Sequence, residues 1–157
     1  MISFLRRRWW LLLLVVTLLV VAGMKFRVSV VNERVIEEIK ANPTGTLALK
    51  TMIVTLRDGR IFPVNYLVED GRVYMGIDGL WWRSFQGEGR PVTLFIQGEQ
   101  FEGHATVILD DPARVKDVFS RLRPTVPKWL PDQLNGKLVE VSALEGKPSP
   151  LTKLARP

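Results

Sequence analysis

Thr51-Met52-Ile53-Val54-Thr55-Leu56, then Arg57-Asp58-Gly59-Arg60, then Ile61-Phe62-Pro63-Val64-Asn65-Tyr66-Leu67-Val68 sets the period of this chain. Two β-branched and aromatic runs flank an Asp-Gly pair, and Asp-Gly supplies the positive φ angles of a tight hairpin turn. The first strand is expected over Leu47–Leu56 and its return over Ile61–Val68, with Pro63 at an edge or bulge because it cannot donate to a ladder. A second turn, Glu69-Asp70-Gly71-Arg72, leads to a third strand at Val73–Ile77.

Outward from this meander the same logic continues. Asp78-Gly79 breaks the sheet, and Leu80-Trp81-Trp82-Arg83-Ser84-Phe85 fits a short helical turn that Gly87-Glu88-Gly89 ends. Arg90–Gln97 and Gln100–Leu109 read as another hairpin about Gly98-Glu99. Asp111 as N-cap and Pro112 at the first helical position start a helix whose apolar face is Val115, Val118, Phe119 and Leu122. Pro124 ends it. A short turn at Asp132–Leu134 and a last strand at Lys137–Ser142 follow. The fold class expected is mainly β: a closed or partly closed barrel of about six antiparallel strands with one or two helices. Closure removes apolar edges that would otherwise pair with other chains.

Before the barrel the period is helical. Trp9 to Met24 is apolar except for Thr17 and Gly23. Sixteen residues at about 1.5 Å each reach about 24 Å, against a hydrocarbon core of about 30 Å. Phe4, Leu5, Phe26 and Val28 extend the run, and Trp9-Trp10 sits where an interfacial aromatic belt is expected. A cleaved secretory signal is the alternative, with Arg6-Arg7-Arg8 as its basic region. The apolar run exceeds the usual 7–15 residues or so of such signals, which favours a retained single-pass anchor in the cell membrane. The three arginines favour a cytoplasmic N-terminus, while Lys25 and Arg27 pull the other way, so orientation stays open. The organisation expected is residues 1–30 as basic segment and transmembrane anchor, 31–45 as amphipathic helix and linker, 46–145 as barrel, and 146–157 as disordered tail.

Composition narrows the function. The chain of 157 residues has no cysteine and a single histidine, His104. Disulfides, thiolate metal sites and cysteine nucleophiles are excluded, and a histidine metal centre or a Ser-His-Asp triad is argued against. His104 falls on the polar face of its strand and reads as a surface residue rather than a base. Asp110-Asp111 reads as a helix cap, not a metal site. The net charge is +6. Its lysines and arginines are scattered through turns and strand edges without a nucleic-acid motif, so lipid headgroups, not nucleic acid, are the expected anionic partner.

Several ordered pieces resemble a known family. Arg60-Ile61-Phe62-Pro63-Val64-Asn65-Tyr66 and Asp70-Gly71-Arg72-Val73-Tyr74 look like the second hairpin of the deazaflavin-dependent nitroreductases. These belong to the split β-barrel group that includes pyridoxamine-phosphate oxidase. Trp81-Trp82-Arg83-Ser84-Phe85 is similar to the family's aromatic turn, and Arg90-Pro91-Val92-Thr93-Leu94, Gly98-Glu99-Gln100-Phe101 and Gly103-His104-Ala105 follow in family order. The resemblance covers about Leu47 to Val141. It implies a deazaflavin coenzyme (FMN as the alternative), hydride transfer to a lipid-soluble acceptor such as a quinone or nitroaromatic, and pairing as a homodimer. It also implies that Arg57 and Arg60, with Lys50 on the preceding strand, hold the coenzyme phosphate. Tyr66, Met75, Asp78 and Trp81 would lie near the ring or acceptor. The turn here is shorter than the family's, Asp58 adds a negative charge, and only Tyr66 and Tyr74 are present as tyrosines. These departures keep a second reading open, a non-catalytic tethered barrel binding a lipid, heme or protein partner.

Overall fold

The computed structural model describes residues 2–126 and 136–143, and of residues 2–8, 24–26, 28 and 143 only the backbone. The chain forms two compact units, Met1–Glu37 and Glu38–Pro157. The first is a helix. It belongs to α1, Ile2–Ala41, which runs without a break through both the apolar stretch and the segment expected as a separate amphipathic helix. Side chains from Trp9 to Val21 stand open all round it, from 46% exposed at Val21 to 72% at Trp10. Among the described residues no helix is long and apolar enough to cross a membrane.

The second unit is a six-stranded antiparallel barrel. Its strands are β1 (Thr51–Leu56), β2 (Ile61–Glu69), β3 (Arg72–Ile77), β4 (Arg90–Ile96), β5 (Glu99–Val107) and β6 (Lys137–Ala143). They close in the order β1-β2-β3-β6-β5-β4. The first strand is shorter than expected. Leu47–Lys50 coils as a helical turn, with the N–H of Leu49 donating to the Gly45 carbonyl and that of Thr51 to the Leu47 carbonyl. Lys50 is therefore on a turn, not on a strand. Apolar content alone does not distinguish a buried turn from a strand.

The wall is joined unevenly. β2 pairs with β3 only over Tyr66–Glu69, opposite Arg72–Met75, so Ile61–Asn65 meets β1 alone. Bonds from Leu56 N to the Arg60 carbonyl and from Tyr66 N to the Lys50 carbonyl fix the alternation of the β1–β2 ladder. That alternation turns the Pro63 nitrogen away from β1, toward the unpaired side. A missing donor there costs no ladder bond and blunts an edge that could recruit another strand.

Side chains fill the barrel. Met52, Val54, Met75, Leu94, Ile96, Val139 and Val141 point inward and are almost fully buried, as a barrel this narrow requires. A second cluster lies outside the wall. There Val118, Phe119 and Leu122 of α2 (Pro112–Leu122) pack on Tyr74 and Leu138. The Asp111 carboxylate caps α2 by accepting from the Arg114 N–H at 2.9 Å. Gly76 lies directly beneath α2, where a Cβ would come within 2.7 Å of the Phe119 ring. The expected turn at Asp132–Leu134 and the tail at 146–157 lie outside the described residues.

Candidate functional site

The register separates the barrel into two ends. One, the mouth, gathers the Arg57–Arg60 hairpin, the 3₁₀ turn Leu80–Phe85 and the start of β4, because Leu56 pairs with Val92. The other, the base, holds the Gly45–Lys50 turn and the Gln97-Gly98 turn. Six strand residues at about 3.3 Å each put roughly 20 Å between the ends.

The expected site residues divide accordingly. Arg57, Arg60, Asp78 and Trp81 belong to the mouth. Lys50 and Tyr66 belong to the base, and Met75 is buried in the wall between them. The structure does not gather these seven into one site.

At the base, the Tyr66 hydroxyl donates to the Ala48 carbonyl at 3.2 Å and accepts from Gln97 Nε2 at 2.9 Å. Burial pushes its pKa up, opposed in part by the Gln97 hydrogen bond. A raised folded-state value means that the unfolded chain ionises first as pH climbs. Stability is thus unaffected below the ordinary tyrosine value near 10 and falls above it. In denaturant midpoints measured from pH 8 to 11, Tyr66→Phe is expected to lose less stability than the wild type as pH passes about 10. Parallel curves for the two proteins would refute this.

At the mouth most of the polar groups are already paired. Arg60 Nε donates to Asp58 Oδ2 at 2.9 Å and its backbone N–H to Oδ1 at 3.1 Å. The Arg60 side-chain bond first, and then its backbone bond, hold the Asp58 carboxyl below the usual carboxylate range. Asp78 is taken too: Arg123, at the end of α2, reaches its two oxygens at 2.5 and 3.0 Å and the Gly76 carbonyl at 2.9 Å. The Arg123 side chain is only 16% exposed whereas that of Asp78 is 74% exposed, so the arginine is the fixed partner and anchors the start of the aromatic turn. Trp81 stacks on Phe62, centroids 4.5 Å apart and planes 6° from parallel, and meets the buried Phe85 edge-on at 5.8 Å. It plugs the gap between β2 and β3.

Two arginines are left over. A half-open cavity of about 260 Å³ is lined by Leu56, Arg57, Asp58, Ser84, Phe85, Arg90 and Pro91. The guanidinium groups of Arg57 and Arg90 have no partner among the described residues. Arg90 is placed by its neighbour: Gly89 takes φ +76° with its Cα against the β5 backbone. Next to it His104 Nε2 contacts the Glu88 carbonyl from the outer face of β5, half-buried and away from the cavity. Sequence reasoning found Arg57 but missed Arg90, Ser84 and Arg123. Only the long-range β1–β4 pairing brings Arg90 beside the first hairpin. Among the described residues no cluster of His, Asp and Glu could hold a metal ion.

Fold and site together define a small closed six-stranded antiparallel β-barrel with a cationic, half-open mouth. No family model matches the sequence, and no curated protein does either. Among solved structures, the chain is similar to a Listeria innocua protein assigned the name pyridoxamine 5'-phosphate oxidase. That match has 10% identity and a TM-score of 0.48, and covers 60% of this chain and 86% of the other. A Corynebacterium glutamicum protein of the same assigned name gives 17% identity and a TM-score of 0.38, over 72% of this chain and 83% of that one. Neither name is that of a deazaflavin-dependent nitroreductase.

Proposed function

We propose that this chain is a membrane-tethered split-barrel oxidoreductase whose mouth holds the anionic end of a deazaflavin or, as the alternative, FMN. The supporting observation is the unpartnered Arg57 guanidinium over a half-open cavity, in a barrel whose interior is filled by its own side chains. A planar guanidinium donates two parallel hydrogen bonds to a phosphate. Arg57 would bind that group, while Leu56 and Phe85 keep the cavity floor dry. The coenzyme, when bound, supplies the hydride for a quinone- or nitroaromatic-like acceptor. The free guanidinium of Arg57 supports the anionic end. At the ring end Trp81 is already stacked on Phe62.

The tether rests on α1. An apolar sheath exposed on every side matches lipid better than one protein neighbour, which would cover a single stripe. Residues 9 to 23, fifteen in all, reach about 22 Å, and Met24, Phe26 and Val28 prolong the run in sequence. In sequence, Arg6-Arg7-Arg8 and Lys25 with Arg27 flank this run, a charge pattern that suits anionic headgroups.

Full-length protein in detergent micelles is expected to quench the fluorescence of added FMN or deazaflavin saturably. Arg57→Ala should weaken that binding about tenfold, as for a lost charge-assisted hydrogen bond. No saturation with either coenzyme ends the coenzyme reading. The second reading, a non-catalytic tethered barrel for a lipid, heme or protein partner, gains from the internal pairing of Arg60 with Asp58 and of Trp81 with Phe62. A reporter fused after Pro157 separates the two, because a C-terminus outside the cytoplasm favours the second. Pairing of two copies is part of the same proposal, and light scattering of the detergent-solubilised protein checks it.

A further inference from the structure

The mouth carries more specificity than a single basic turn. We propose that Arg57 and Arg90 form a two-armed clamp for a phosphomonoester, with a small apolar group of the ligand resting on Leu56, Phe85 and Pro91. The clamp rests on the reading of the mouth as a binding site but not on the identity of any coenzyme.

Three features of the cavity support it. Arg57 and Arg90 both line one half-open space, and neither guanidinium has a partner among the described residues. A doubly charged phosphate suits two such groups better than a singly charged carboxylate does. The Ser84 hydroxyl, on the same lining, adds a donor for a third oxygen. Apart from Asp58 at the rim, the rest of the lining is the apolar Leu56, Phe85 and Pro91, so the pocket accepts a short ring or alkyl group rather than a second charge.

The Asp58–Arg60 pair tunes the clamp from its rim. Asp58 borders the cavity and would repel an anion, but Arg60 holds its carboxylate by the side chain and the backbone at once. Arg60 itself is not among the lining residues. Its part is to neutralise Asp58, not to touch the ligand. Two substitutions should therefore act in opposite directions. Arg60→Ala frees the carboxylate and weakens anion binding, whereas Asp58→Asn removes it and strengthens binding. Each effect should be roughly two- to fivefold, the size of an exposed charge contact, and should shrink in salt.

The test uses full-length protein in phosphatidylcholine nanodiscs, titrated calorimetrically with phenyl phosphate and with inorganic phosphate. Phenyl phosphate is expected to bind about tenfold more tightly than inorganic phosphate, because the floor buries its ring. Arg57→Ala and Arg90→Ala should each lose about tenfold, Arg90→Lys should recover part of the loss, and Arg72→Ala, at the base end, should change nothing. Near-ultraviolet circular dichroism confirms that each variant is folded. Repeating the titration in nanodiscs containing phosphatidic acid separates the sources of phosphate. Competition by the lipid makes a headgroup the occupant, and its absence makes the occupant a soluble ester. Equal binding by wild type and Arg90→Ala, or no saturation by phenyl phosphate, overturns the clamp. If phenyl phosphate binds as stated while neither FMN nor deazaflavin does, the clamp stands and the coenzyme reading falls. If a coenzyme binds and Arg90→Ala leaves it unchanged, the reverse holds.

Discussion

Phe85→Ala is expected to lower the stability of the barrel by about 3–5 kcal/mol, the range for removing a buried phenyl ring. Phe85 is 1% exposed and belongs to the main core, although it sits on a 3₁₀ turn and not on a strand. Its ring closes the mouth from within and meets Trp81 edge-on, while Trp81 covers Phe62 in the gap where β2 and β3 do not pair. Deleting the ring therefore loses its transfer energy and leaves Trp81 without its edge contact, so collapse into the space would have to break the Phe62 stack. A floor residue of the candidate cavity disappears as well, so phenyl phosphate binding should weaken in the same variant. Denaturant unfolding of the full-length protein in detergent, followed by tryptophan fluorescence, reads the loss as a shift in midpoint at unchanged slope. Phe85→Leu should cost about 1–2 kcal/mol, since it keeps most of the volume. A loss under 1 kcal/mol for the alanine variant would mean that the turn is not the plug of the barrel.

Local chemistry made much of this fold legible. Asp58-Gly59 and Asp70-Gly71 announced their hairpins because those turns need positive φ, and Gly59 at +84° and Gly71 at +71° supply it. Asp111-Pro112 marked the start of α2 through its capping carboxylate. Pro63 was readable as an edge residue, and the register shows the unpaired side it faces. What local chemistry does not carry is which strands meet across the closure. The β1–β4 and β3–β6 pairings join segments far apart in sequence, and register across such joins depends on the whole core.

The candidate site was less legible than the fold for the same reason. Arg57 could be singled out, but the Arg60 beside it is occupied by Asp58, and the free partner is Arg90 on β4. Asp78 looked available until α2 delivered Arg123 to it. Tyr66 and Lys50 are close in the ladder yet belong to the far end, because the strand between them and Arg57 spans the height of the barrel. A basic turn can be read from four residues. Whether its charges are free is decided by side chains from elsewhere in the chain.

Gly89→Ala is expected to couple stability to binding. Gly89 takes φ +76°, which costs an L-residue about 1–2 kcal/mol. A Cβ there would also lie 2.4 Å from the Ala105 carbonyl oxygen and 2.6 Å from Thr106 Oγ1. The carbonyl is part of the β5 backbone and cannot swing aside as a long side chain could, so the β4–β5 hairpin must part locally at Arg90, which pairs with Ala105. Strain of that kind adds about 1–3 kcal/mol, for a total of about 2–5 kcal/mol. Because Arg90 is the next residue, the displacement should carry its guanidinium off the cavity, and a variant that still folds at low temperature should bind phenyl phosphate nearly as weakly as Arg90→Ala. Gly87→Ala is the control. Gly87 also has a positive φ, +69°, but nothing lies within 4 Å of the added carbon. It should pay the conformational cost alone and keep its ligand. Equal losses of stability and binding in the two variants would show that backbone conformation, and not the close approach of Gly89 to β5, sets the position of Arg90.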